Sequence, residues 1–184
     1  MKKITAFLLI ICTVFCIGCS NGKKQEVDVA VPVGMQYASS NAAYYNLFVP
    51  AEWIIDTASG SSSAYVSELD PTNVSAVRVS VPDPSVTTAE LYWEKYKEDF
   101  RASFTNFTVI SENVKTTLSG KDACKYEYTA SLTGTDYRYC SVICVLDGSV
   151  YMLTYTSIGE SYEANMEDFT SICDNFMIKT GMTE

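Results

Sequence analysis

The sequence predicts an α+β layered fold: a meandering, mostly antiparallel sheet with one helix inserted midway and another at its end. Three observations point there. Apolar and polar residues alternate in runs between Ala64 and Thr156. Two stretches, Thr88–Phe104 and Ser161–Phe176, switch to helical spacing. Turn pairs such as Asp147-Gly148 separate neighbouring runs and favour hairpins over crossovers.

The first strand signal is Tyr44–Asp56, YYNLFVPAEWIID, interrupted or ended by Pro50, with Trp53 as a core plug. Ser59-Gly60 and Ser61–Ser63 read as a flexible turn before strands Ala64–Leu69 and Val74–Val81. In the second of these, Val77, Val79 and Val81 face one way and Arg78 and Ser80 the other. Asp83-Pro84 stops it. Thr87 and Glu90 then form a capping box for the helix Thr88–Phe104, whose apolar stripe is Ala89, Tyr92, Tyr96, Phe100 and Phe104. Its outer face suits Glu94–Lys97 and Glu98–Arg101 pairs. Strands Val109–Leu118, Ala123–Ser131, Tyr137–Leu146 and Val150–Thr156 follow. The last helix carries Tyr162, Met166, Phe169, Cys173 and Phe176 on one stripe.

If the 131–137 loop closes symmetrically, Cys124 lies opposite Cys144, Tyr126 opposite Val142 and Tyr128 opposite Cys140, all on one sheet face. Cys173 packs towards that same face, so staples from Cys173 to Cys140 or Cys144 can be drawn, and Cys124–Cys144 where the spacing fits a disulfide. Four thiols allow three complete pairings and the sequence selects none. Buried free thiols fit equally well. A zinc site is disfavoured because Cys140 and Cys144 lie in a strand pattern and not on a CxxC turn.

The amino terminus, MKKITAFLLIICTVFCIGCS, has a basic start at Lys2-Lys3 and an apolar run, Ile4–Ile17, that is short for a membrane span. It ends at Gly18-Cys19. That junction resembles a bacterial lipobox, in which the cysteine is acylated with palmitate-type chains and becomes the new first residue. The expected organisation is a signal peptide over 1–18, a flexible tether over 19–34 and one domain over 35–184. The expected location is the cell membrane, lipid-anchored at Cys19 and facing outside the cytoplasm.

Composition excludes several functions. The chain has 184 residues, no histidine and a net charge of −9, which becomes −11 once Lys2 and Lys3 leave with the signal. Without histidine there is no Ser-His-Asp or Cys-His nucleophile, no histidine base and no ordinary catalytic zinc set. The acidity argues against nucleic acid as partner. Candidate carboxylate groupings are Glu52 with Asp56, Glu68 with Asp70, and Glu160, Glu163, Glu167 and Asp168; none has a calcium-loop pattern. Ser61–Ser63 lack a nucleophile elbow, and the glycines lack phosphate-loop spacing. Trp53 and Trp93 could form an aromatic platform, and Tyr37, Tyr44 and Tyr45 are the tyrosines placed to be exposed. No cofactor is expected.

The order of several motifs resembles the PsbP/Mog1-like family. Tyr45-Asn-Leu-Phe-Val-Pro50 with Trp53 looks like its opening strand and turn, and Thr88-Ala-Glu-Leu-Tyr92 like its first helix. Gly120–Tyr128, GKDACKYEY, is similar to its Gly-x-x-Ala-x-x-Tyr-x-Tyr strand. Val150–Thr156 resembles its penultimate strand and Phe169–Phe176 its closing helix. The resemblance covers Tyr44–Ile178. It implies an α/β/α sandwich and a binding or assembly-assisting role with no catalytic activity, towards a protein partner. The alternatives are a small-molecule or glycan binder with a tyrosine-lined pocket, and, less favoured, a carboxylate-dependent hydrolase.

Overall fold

The structure is a computed structural model that describes residues 29–40, 44–56 and 62–179. Its centre is a seven-stranded, wholly antiparallel sheet made of β4 (Ile54–Ile55), β5 (Ser62–Ser67), β6 (Asp70–Ser80), β7 (Thr105–Leu118), β8 (Lys121–Leu132), β9 (Thr135–Leu146) and β10 (Ser149–Ser157). The strand order is β4-β5-β6-β10-β9-β8-β7. β7 to β10 form a meander, as the turn signals predict. Asp147 and Gly148 both take positive φ, 48° and 69°, the conformation a two-residue type I′ hairpin demands.

Helix α1 (Ala89–Ser103) connects β6 to β7, which lies four strand positions away at the sheet edge. The helix lies over β7, β8 and β9, and the segment of residues 81–88 leads to it from the end of β6. Its cap is Thr88, not Thr87: the Thr88 Oγ1 accepts from the Leu91 N–H at 3.3 Å. Glu90 pairs with Lys115 on β7. The Glu94–Lys97 and Glu98–Arg101 pairs do form, at 3.0 and 3.6 Å.

On the opposite face, α2 (Ser161–Ala164) and α3 (Met166–Asn175) replace the single helix expected there. The break falls at Asn165, whose φ and ψ of −109° and 12° leave the helical range and whose Nδ2 donates to the Ser161 carbonyl at 2.9 Å. Beside them lie β1 (Met35–Tyr37) paired with β3 (Phe48–Pro50), and β2 (Tyr45–Asn46) paired with β11 (Met177–Ile178). Two cores result. Under α1, Trp93, Tyr92 and Phe100 pack on Cys124, Tyr126, Tyr128, Tyr139 and Ile143. Under α2 and α3, Tyr162, Phe169, Ile172 and Phe176 pack on Val74, Cys140, Val142, Cys144 and Leu153. The sheet is therefore covered by helices on both faces, and the α+β expectation holds.

One register was wrong. The β8–β9 hairpin turns on two residues, Thr133 and Gly134, with φ of 50° and 86°, so that Leu132 pairs with Thr135. Cys124 is then opposite Ile143, Ala123 opposite Cys144, Lys125 opposite Val142, Tyr126 opposite Ser141, Glu127 opposite Cys140 and Tyr128 opposite Tyr139. The slip of one residue sends every side chain of one strand to the other face. Cys124, Tyr126 and Tyr128 belong to the α1 core, whereas Cys140, Val142 and Cys144 belong to the α2–α3 core.

Candidate functional site

The aromatic residues that might have formed a ligand platform are interior. Trp93 has no exposed surface. It sits at the centre of the helix's buried face: its ring lies 4.5 Å from that of Tyr126, and its Nε1 donates to Glu112 Oε2 at 2.8 Å. Tyr128 and Tyr139 stack nearly parallel, 11° apart, with centroids 4.9 Å apart. Trp53 is buried and donates through Nε1 to Asp168 Oδ2 at 3.3 Å, pinning the turn after β3 to α3. Of the three tyrosines expected outside, Tyr37 and Tyr44 are half-buried, and Arg78 sits 4.1 Å over the Tyr44 ring. Tyr45 is the exception. It is buried, stacks on Phe176 at 5.1 Å and donates its hydroxyl to the Ala76 carbonyl at 2.5 Å, which fastens the amino-terminal layer to the sheet.

The carboxylate groupings are dispersed into structural roles. Asp56 accepts from Ser63 Oγ at 3.3 Å. Asp70 Oδ1 accepts from the Thr72 N–H at 2.9 Å; burial opposes its ionisation, but hydrogen bonds from Thr72, Ser161 and Asn165 outweigh this and hold the carboxyl below its ordinary value. Asp168 serves Trp53, and Glu163 accepts from Arg138 Nη1 at 2.8 Å. Among the described residues no group of three or more metal-ligating side chains comes together. Ser62 and Ser63 lie in strand β5, not in the flexible turn expected at Ser61–Ser63, and Ser62 Oγ accepts from the Ser40 N–H at 2.9 Å. Gly60 and Ser61 lie outside the described residues.

All four domain cysteines carry free thiols: Cys124, Cys140 and Cys144 are buried and Cys173 is half-buried. The Cys124–Cys144 staple is excluded because the two lie on opposite faces of the sheet. Cys140 and Cys173 share the α2–α3 core with Tyr162. Burial pushes the Cys140 thiol up to about 12 and that of Cys144 to about 11, and raises Cys173 as well. Thiols so placed are poor nucleophiles at neutral pH. Cys19 lies outside the described residues.

Sequence reasoning passed over Arg138. Its guanidinium donates to Glu127 Oε2 at 3.0 Å and to Glu163, and lies 3.9 Å over the Tyr162 ring, so it rivets β8 and β9 to α2. The charge that could have signalled this is its isolation: no Lys or Arg occurs between residues 139 and 178, nor between 25 and 77. In the fold those two stretches build β1 to β5, most of β6 and β9, β10, α2 and α3. Glu160, Glu163, Glu167 and Asp174 are exposed along α2 and α3, two helices that carry no Lys or Arg. On the α1 side Lys95 pairs with Asp83 and Lys115 with Glu90, whereas Lys125 joins Arg138 at Glu127 on the α2–α3 side.

Residues 34–178 match the family model PsbP. The chain belongs to the PsbP family. PsbP-family proteins are, in general, non-catalytic accessory proteins, in keeping with carboxylates and thiols that hold this fold together. Cyanobacterial PsbP (CyanoP) from Synechocystis sp. PCC 6803 superposes with a TM-score of 0.55 at 13% identity, covering 85% of this chain and 99% of that chain. LpqN of Mycobacterium tuberculosis, a protein involved in cell envelope biogenesis, superposes with a TM-score of 0.50 at 16% identity, covering 72% of this chain and 82% of that one. At these identities the likeness is one of fold. No curated protein matches the sequence. No helix among the described residues is long and apolar enough to cross a membrane.

Proposed function

We propose that this PsbP-family protein is a lipid-anchored, extracytoplasmic binding or assembly-assisting protein, held at the cell membrane through acyl chains on Cys19 and serving a protein partner. The observation that carries the anchor is the leader itself: a basic start, a short apolar run and Gly18-Cys19 in front of a folded domain. Membership of a family of accessory proteins supports the binding role, as does the domain's chemistry, in which half-buried carboxylates and buried tyrosines and thiols serve the fold. The superposable LpqN, involved in cell envelope biogenesis, is in keeping with an envelope setting. A tyrosine-lined pocket is the weaker reading, because Tyr45, Tyr126, Tyr128, Tyr139, Tyr155 and Tyr162 are all buried. The anionic layer formed by α2 and α3 suits a partner with a cationic patch and repels nucleic acid and anionic polymers.

The test is Cys19→Ala in the native host. Loss of the acyl mass increment and release from the membrane fraction are expected; unchanged mass and retention would overturn the anchor. Crosslinking in native membranes then identifies the partner, whose capture should weaken as salt is raised.

A further inference from the structure

We propose that one end of the sheet, where the chain enters the domain and β5 turns into β6, rests directly on the lipid bilayer, with Leu69 and Val33 as its apolar contacts. This rests on the proposed anchoring at Cys19. Leu69 is 97% exposed and Val33 fully exposed. Leucine at the tip of a tight turn contributes nothing to the core, and the turn is built to hold it outward. Ser67 Oγ accepts from the N–H groups of Leu69 and Asp70, at 3.3 and 3.1 Å. Asp70 in turn fixes Thr72, whose hydroxyl lies 2.6 Å from that of Ser157 in the interior.

The backbone puts these residues at one end. The Ala51 N–H donates to the Gly34 carbonyl at 3.0 Å, beside Val33. Gln36 Nε2 grips the carbonyls of Pro50, Ala51 and Trp53. Ile54 then pairs with Tyr65, two residues before the Ser67–Asp70 turn. The entry of the chain and the Leu69 tip are thus joined through the short turn after β3. The other end of the sheet lies the length of β6 away, about 36 Å for eleven residues at ~3.3 Å each.

The point of attachment brings this end to the membrane. Nine residues, 20–28, separate Cys19 from Val29. Covalent geometry caps that span at about 35 Å, comparable to the length of the sheet, so the tether brings the entry end within reach of the membrane and the exposed Leu69 and Val33 supply the orientation. Two apolar side chains bind lipid too weakly to recruit a free protein, but they are enough to orient one already tethered. Glu52 and Glu68 are exposed beside them, which makes the contact favour uncharged lipid and weaken on anionic lipid.

The experiment uses the acylated full-length protein carrying Leu69→Trp, Val33→Trp or, at the opposite end, Pro84→Trp, reconstituted on phosphatidylcholine vesicles with or without brominated acyl chains. The native Trp53 and Trp93 are buried and supply a constant background. Vesicle flotation and intact mass are recorded first. The expected result is flotation of all three variants, with a blue shift and bromine quenching of the added indole in Leu69→Trp and Val33→Trp. Pro84→Trp should show neither, and a share of phosphatidylglycerol should reduce the quenching. Flotation with equal or no quenching in the three variants overturns the orientation while leaving the anchor intact. Failure to float overturns both. Shielding of the Leu69→Trp indole only in native membranes, and not on vesicles, would put a protein partner on this end and also overturn the lipid contact.

Discussion

Trp93 stacks against Tyr126 with ring centroids 4.5 Å apart and planes 25° apart, while its indole N–H donates 2.8 Å to Glu112 on the edge strand. One side chain thereby ties α1 to both β8 and β7. Trp93→Ala should cost about 3–5 kcal/mol in chemical denaturation, the usual range for an aromatic core truncation. Trp93→Phe keeps part of the packing and loses the hydrogen bond, so its cost should be clearly smaller. A neutral Trp93→Ala would mean that the ring is not in the core.

The buried thiols give a second measurable property. Alkylating reagent added to the folded protein near neutral pH should leave Cys124, Cys140 and Cys144 unmodified and label the half-buried Cys173 slowly at most, because burial keeps the thiols of Cys140, Cys144 and Cys173 protonated. After denaturation without reductant all four should label. Fewer labels, counted by intact mass, would reveal a disulfide that the structure does not contain.

Tyr45 tests the attachment of the amino-terminal layer. Tyr45→Phe retains the stacking on Phe176 but leaves the Ala76 carbonyl without its donor. A loss of about 1–2 kcal/mol is expected in urea unfolding. Tyr45→Ala should lose more, because it also removes the ring.

Acid should destabilise the fold through Asp70 and Glu127. Burial opposes the charge of Glu127, but hydrogen bonds from Arg138 and Lys125 prevail and its carboxyl is held below the ordinary 4.5, as Asp70 is below 3.8. A carboxyl whose folded value is depressed stabilises fully above its ordinary value and loses that contribution as pH falls through the depressed one. Melting temperature should therefore hold from neutral pH down to about 5 and drop below about 4. Glu127→Gln should lower stability at neutral pH and flatten the acid limb. An unchanged acid limb would show that the Arg138 junction carries no stability.

Local chemistry was legible wherever it acted within a few residues. The Asp147-Gly148 hairpin, the α1 stripe and its Glu94–Lys97 and Glu98–Arg101 pairs follow from short-range spacing. The Thr87 cap missed by one residue because Thr87 and Thr88 offer the same hydroxyl, and only the helix axis selects between them. The β8–β9 register missed by one for a similar reason. Leu132-Thr133-Gly134-Thr135 closes either as a two-residue turn or as a longer loop, and Thr133 is an uncommon occupant of the left-handed conformation it adopts. That single step decided which face Cys124 occupies. Tyr45 and Trp93 were misjudged because each is placed by a partner distant in sequence, Ala76 and Glu112 respectively. Arg138 was unremarked because its acceptors, Glu127 and Glu163, meet only when β8, β9 and α2 assemble.

By itself the sequence determined the layered antiparallel fold, the family and the absence of histidine chemistry, since these depend on periodicity, composition and contiguous motif. Tertiary structure alone decided which side of the sheet each cysteine takes, which tyrosines are sealed in, and that Leu69 and Val33 stand at the same end of the molecule. The reason is physical: period and turn type are local properties of the chain, whereas facing and proximity depend on registers and packing between segments that may be a hundred residues apart, as Trp53 and Asp168 are.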